Sequence, residues 1–237
     1  MPERARVHYQ EELERLENQA LGALDLVVAM LDKTLEAIEH QDIELATLVI
    51  LDDDQVDGRY LEVHQGILSL LARQAPVASD LRVVAALLHV IKHAERMGDQ
   101  CVNIAKLLPV TGSEPPVQEE LRSRVARMGV LARAEVLQAK AAFANRDAAM
   151  AEDLVLQDEE VNALNRECFG LVVELGTDAD VREWGLTMML MARALERIGD
   201  NAVDIGEQVA FVVSGLFREF TDATHPPRSE RELRRQL

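Results

Sequence analysis

The chain has 237 residues, 48% of them apolar, which is enough core for one large or two small domains and too much for global disorder. Its formal net charge of −17 excludes a nucleic-acid surface, which has to be basic, and points to a cationic partner, either metal ions or a basic protein face. Cys101 and Cys168 form neither a disulfide framework nor a zinc spacing, and no stretch reaches the ~18 apolar residues of a membrane span, so a soluble protein of a reducing cytoplasm is expected.

Aromatic residues make up 3% of the chain while Ala, Leu, Val and Glu dominate, a balance that favours helices over strands. Leu13, Leu16, Ala20, Leu24, Val27, Leu31, Leu35 and Ile38 recur at spacings of three and four, the stripe of one long amphipathic helix. His40-Gln41-Asp42 punctuates it. A second periodic segment runs from Ile43 to Arg73 and stops at Ala75-Pro76-Val77, because proline cannot continue a helix interior. A third opens near Ser79-Asp80, both N-capping residue types, and runs to about Leu108. Residues 109–116, rich in proline, are the clearest linker. Beyond it the pattern restarts, with helices predicted over 118–144, 148–175 and 179–214. Asn145-Arg146-Asp147 stands where His40-Gln41-Asp42 stood, and Thr177-Asp178-Ala179-Asp180 replaces the proline turn. The expected organisation is all-α: a first three-helix repeat over 1–110, a second over 117–215, and a loosely ordered polar tail over 216–237.

The halves also match residue by residue. Glu95-Arg96-Met97-Gly98-Asp99 and Asn103-Ile104 correspond to Glu196-Arg197-Ile198-Gly199-Asp200 and Asp204-Ile205. Asp53-Asp54-Gln55-Val56-Asp57 corresponds to Asp158-Glu159-Glu160-Val161-Asn162. A nearly constant offset of about one hundred residues marks an internal duplication. At about 100° per residue, Glu95 and Asp99 interrupt an apolar stripe of Val84, Leu88, Ile91 and Val102. Glu196 and Asp200 do the same among Met189, Ala192 and Val203. Asp53 and Asp57 share a face with Ala46, Val49, Tyr60, Ile67 and Leu71, and Asp158 and Asn162 share theirs with Ala151, Leu154, Phe169 and Val172.

An unpaired carboxylate on a core face is costly, so something has to compensate for these acids. Arg96 and Arg197 lie about 100° round from the adjacent Glu and reach the sites only obliquely. Protonation of one acid of each pair is a second route, and bridging by multivalent cations a third. The candidate metal ligands are Asp53, Asp57, Glu95, Asp99 and Asn103 in the first half, and Asp158, Asn162, Glu196, Asp200 and Asp204 in the second. These all-oxygen sets suit hard cations and lack the histidine of a catalytic zinc site or a di-iron bundle. Asn162 is neutral where Asp57 is acidic, so the second cluster is expected to bind more weakly. Gly98 and Gly199, inside each acidic pair, leave room for metal or for a close helix. His89 and His93 point away from Glu95 and read as surface or interhelical residues, and the two cysteines as small buried hydrophobes.

These motifs resemble the PhoU family of phosphate-signalling regulators. The resemblance rests on Pro76-Val77-Ala78-Ser79-Asp80-Leu81-Arg82 leading into Glu95-Arg96-Met97-Gly98-Asp99, on the second Glu196-Arg197-Ile198-Gly199-Asp200, and on the acidic pairs upstream; it covers residues 8–214. It implies two three-helix bundles whose acidic clusters bind iron, zinc, manganese or magnesium. It also implies a negative regulator of phosphate uptake and phosphate-starvation signalling, coupling the ATPase of the phosphate-specific ABC transporter to a sensor histidine kinase. A homodimer at the inner face of the membrane, held there through its partners and not inserted, is the expected assembly. No nucleophile elbow or phosphate-cradling glycine loop is present, so no enzyme activity is expected. A metal-independent helical adaptor, whose acids merely titrate, and a carboxylate-bridged metalloenzyme are the alternatives.

Overall fold

The computed structural model describes residues 3–73, 76–111 and 118–220. Six helices account for nearly all of them: α1 (Glu3–His40), α2 (Ile43–Arg73), α3 (Ala78–Leu107), α4 (Glu119–Asn145), α5 (Ala148–Val173) and α6 (Ala179–Ser214), with a 3-10 turn at Leu108–Thr111. No strand occurs among the described residues.

The turns repeat as the sequence does. Gln41 and Arg146 both take the left-handed conformation, at φ 54° and 55°, and close α1 and α4. The next residue then serves both helices. The Asp42 and Asp147 N–H groups donate to Ala37 O and Ala142 O at 3.0 Å each, while their carboxylates accept from Leu45 N at 2.9 Å and Met150 N at 3.0 Å. A side-chain oxygen at that position satisfies an N–H that a helix start leaves without a partner. The start of α3 departs from expectation. Val77 is its N-cap and offers no side-chain bond, so Ser79 and Asp80 lie inside the first turn, where Asp80 meets the positive end of the helix dipole. Asp178 caps α6, accepting from Asp180 N and Val181 N.

The predicted stripe of α1 is the core face. Leu13, Leu16, Ala20, Leu24, Val27 and Leu31 are buried, with Leu35 and Ile38 packed against them. Helices α1, α2 and α3 pack on one another as one bundle, and α4, α5 and α6 as a second. The bundles lie side by side, α3 along α6 and α1 along α4, and their buried residues merge into one contiguous cluster. Gly129 lets α4 come close to α1, since a Cβ there would overlap Leu35. Arg133–Asp32 at 2.5 Å, Lys140–Asp25 at 2.5 Å and Arg146–Glu17 at 2.6 Å cross the same seam.

The expected linker starts in an ordered way. Leu108 and Thr111 are buried, and Thr111 Oγ1 donates to Gln41 Oε1 at 2.9 Å, while 112–117 lie outside the described residues. Of the expected tail, 216–220 fold back onto α6. Phe220 packs against the core and its N–H donates to Glu207 Oε1 at 2.6 Å; residues 221–237 lie outside the described residues.

Candidate metal centres

In the first half, α2 carries Asp53 and Asp57 and α3 carries Glu95 and Asp99. The buried line of α2 runs through Val49, Val56, Val63, Ile67 and Leu70. Asp53 falls on it half-buried, whereas Asp57 lies at its edge and is exposed, as is Asp99 on α3. The sequence placed Glu95 and Asp99 within the α3 stripe and Asp53 and Asp57 on the apolar face of α2; the structure leaves Asp57 and Asp99 exposed at the rim, in α2 because the buried line follows Val56 and Val63 rather than Tyr60 and Leu71. The four still sense one another. Burial pushes the Asp53 carboxyl up to about 6, helped by Asp57, Asp99 and Glu95. Asp99 is raised by burial, then by Glu95 and Asp57. Asp53 Oδ1 is buried with no hydrogen-bond partner among the described residues, and stands 2.9 Å from where a Cβ on Gly98 would be. The glycine therefore makes room for a carboxylate of the neighbouring helix.

The second half reaches deeper. Asp158 on α5 and Glu196 on α6 are buried, with Asp200 exposed at the mouth. Burial, then Asp200 and Glu196, push Asp158 up to about 7, and Asn162 Nδ2 donates to Asp158 Oδ2 at 2.7 Å. Glu196 is raised by burial and then by Asp200. A residue missed in the sequence completes the group. Glu135 on α4 is fully buried, and burial, followed by Asp158 and Asp200, raises its carboxyl to about 9. The signal was present. Leu121, Val125, Met128, Ala132, Glu135, Ala139 and Ala142 follow three- and four-residue spacing, but a stripe made largely of alanine stands out poorly. With Glu135, the second half carries as many acids as the first (Glu135, Asp158, Glu196 and Asp200), a residue that the expectation of a weaker second cluster did not count.

The direct ion pairs come from one turn upstream rather than from the arginines next to the glutamates. Lys92 Nζ pairs with Glu95 Oε2 at 2.7 Å, and Arg193, its counterpart in the repeat, pairs with Glu196. Arg96 and Arg197 are exposed. Two candidate ligands lie apart from the clusters. Asn103 faces solvent, and Asp204 lies 3.5 Å from His93 Nδ1. His93 is buried between α3 and α6, donating from Nδ1 to Asn201 Oδ1 at 2.8 Å, and burial lowers its pKa. His89 is exposed, and both cysteines are buried free thiols, Cys101 pushed up to about 12 by burial.

Among the described residues no three Asp, Glu, His or Cys side chains stand close enough to hold an ion between them. The donor chemistry nonetheless fits a hard cation. Buried oxygens of Asp53, Glu135, Asp158 and Glu196 lack hydrogen-bond partners among the described residues, an expensive condition that a bridging cation relieves. The carboxylates sit on neighbouring helices of each bundle.

The PhoU domain matches this chain twice, over residues 21–108 and 125–209. The chain belongs to the PhoU family. The two matched stretches coincide with the two bundles, each including its pair of acidic helices. A PhoU homolog 1 of Mycobacterium tuberculosis, a phosphate-specific transport system accessory protein, is 30% identical over 220 residues, covering 89% of this chain and 95% of that one. The crystal structure of the phosphate transport system regulatory protein PhoU from Streptococcus pneumoniae superposes with a TM-score of 0.81 at 25% identity, over 89% of this chain and 99% of the other. PhoU from Pseudomonas aeruginosa gives 0.80 at 28% identity, over 88% and 100%. The six-helix, two-repeat architecture is thus shared with both of these PhoU structures. None of the described helices is long and apolar enough to cross a membrane.

Proposed function

We propose that this chain is an accessory regulator of a phosphate-specific transport system and not an enzyme. It restrains phosphate uptake and the phosphate-starvation response by coupling the transporter's ATPase to a sensor histidine kinase. It works as a cytoplasmic homodimer, reaching the membrane through its partners. Hard multivalent cations (iron, manganese, magnesium or zinc) neutralise its two carboxylate clusters and pin the acidic helices of each bundle together. Asp53, Asp57, Glu95 and Asp99 would hold the first, and Asp158, Asn162, Glu196 and Asp200 the second. When bound, the cation supplies positive charge and cross-links; the docking surface is the protein's own.

The observation that carries this reading is the pair of acidic clusters at matching places in two repeats of a PhoU scaffold, each with orphaned buried oxygens. The names of the relatives, which are accessory and regulatory proteins of phosphate transport, support the regulatory part. The separation of the carboxyls favours a second reading, a metal-independent adaptor whose acids keep their protons. Deleting the gene and assaying a phosphate-starvation reporter in rich phosphate tests the role. Derepression is expected, restored by the parent but not by a variant carrying Asp53→Asn, Glu95→Gln, Asp158→Asn and Glu196→Gln. Rescue by that variant would favour the adaptor, and normal repression in the deletion strain would remove the regulatory reading.

A further inference from the structure

We propose that Glu135 is an inner ligand of a cation site in the second half, one enclosed by three helices and different in kind from the rim site of the first half. The inference rests on the cation reading above and deepens it. Glu135 has no exposed surface, and neither carboxylate oxygen has a hydrogen-bond partner among the described residues. Its charged neighbours are Asp158, Asp200 and Glu160, all acids. A fold buries such a group beside other acids only if it keeps its proton or meets a compensating positive charge.

The geometry says where that charge belongs. Glu135 Oε2 and Asp158 Oδ1 come within 2.5 and 2.7 Å of the point a Cβ on Gly199 would occupy. Both oxygens are orphaned, one from α4 and one from α5, and they meet over the α6 glycine that lies between Glu196 and Asp200. Glu196 Oε2 is a third orphaned buried oxygen on the same helix. In the first half, Asp53 Oδ1 is the one oxygen near the matching Gly98, and the next atoms belong to Val56.

The repeat explains the difference. Because α1 and α4 end at His40 and Asn145, before the matching left-handed residues Gln41 and Arg146, Glu135 aligns with Met30, itself buried. The second half has traded an exposed acid, Asp57, for Asn162, and gained a buried one in place of a methionine. The ligand class is a divalent first-row cation that sheds most of its water, such as Mn²⁺; Mg²⁺ dehydrates too reluctantly for so enclosed a site.

The test is titration of the full chain with Mn²⁺, free ion being followed by its electron paramagnetic resonance signal, for the parent, Glu135→Gln, Glu135→Met, and Asp53→Asn/Glu95→Gln. Glutamine copies the protonated form of Glu135, and methionine is what the other repeat carries at this place. The parent is expected to show two classes of site. Both Glu135 variants should weaken one class at least about tenfold, the range seen when groups supporting a metal are lost. The Asp53/Glu95 variant should weaken the other class alone. The metal-free Glu135→Met protein should melt no lower than the parent, which separates lost ligation from misfolding; if it misfolds, the glutamine variant carries the test. Parental binding by Glu135→Gln would overturn this inference alone and leave Glu135 a buried neutral acid. Equal loss in both classes would overturn it as well. A parent that binds no Mn²⁺ at all would overturn the cation reading and this inference with it.

Discussion

Glu135 and Asp158 hold their protons far more tightly in the fold than in an unfolded chain, at about 9 and about 7 against ordinary values of 4.5 and 3.8. A carboxyl raised on folding contributes stability that is complete below its unfolded pKa and is lost as pH rises through its folded value. The metal-free protein is therefore expected to lose melting temperature between about pH 5 and about pH 9, the reverse of ordinary acid denaturation. Mn²⁺ at alkaline pH should restore much of the loss, because the cation takes the place of the protons. Calorimetric scans of chelated and Mn²⁺-loaded protein measure both effects. A melting temperature that stays level or climbs over that interval without metal would contradict the burial of these acids as charged-state liabilities. At this scale the sequence disclosed Asp53, Asp158, Glu95 and Glu196, since an acid on an apolar stripe is visible in one helix alone. It did not disclose that Lys92 and Arg193 pair with the glutamates, because side-chain reach, not angular position, decides which cation of a turn arrives.

At the scale of the helices, the glycine inside each acidic pair is an expense of about 1 kcal/mol in helix propensity that the site repays with space. Gly199→Ala would return that propensity, but its methyl would fall among Glu135 Oε2 and Asp158 Oδ1, at 2.5 and 2.7 Å. The expected result is little change in metal-free stability and a marked loss of Mn²⁺ affinity in the second half. Gly98→Ala should do less, since its methyl meets one oxygen, at 2.9 Å. Titrating both variants decides it, and equal effects in the two halves would show that the glycines serve helix packing alone. The helix limits themselves were legible almost everywhere, because stripe, turn residues and caps are local properties. The exception is the start of α3, where Val77 is the N-cap without a side-chain bond and Ser79 and Asp80, though capping types, lie two and three residues further on, inside the first turn.

Across the whole molecule the two bundles share one core, and they are coupled through α3 against α6 as well as through the α1–α4 seam. The ion pairs over it are largely exposed, and such pairs are worth about 0–1 kcal/mol each. Close packing at Gly129 carries more weight. Gly129→Val would drive side-chain atoms into Leu35 and is expected to cost about 1–3 kcal/mol in urea unfolding, lowering the transition as one cooperative step. Two separate transitions would mean that the halves unfold independently in spite of the shared core.

By itself the sequence determined six helices, their turns, the duplication and the presence of acids on buried faces. All of these follow from periodicities and residue chemistry that act within a few turns of chain. The tertiary structure alone decided which acids meet. Burial of Glu135 depends on α5 and α6 closing over α4, and the shift of Asp57 and Asp99 to the rim depends on where α2 and α3 touch. A helix position has a fixed direction but no fixed environment. Its surroundings come from residues tens of places away, and it was these that made one cluster open and the other enclosed.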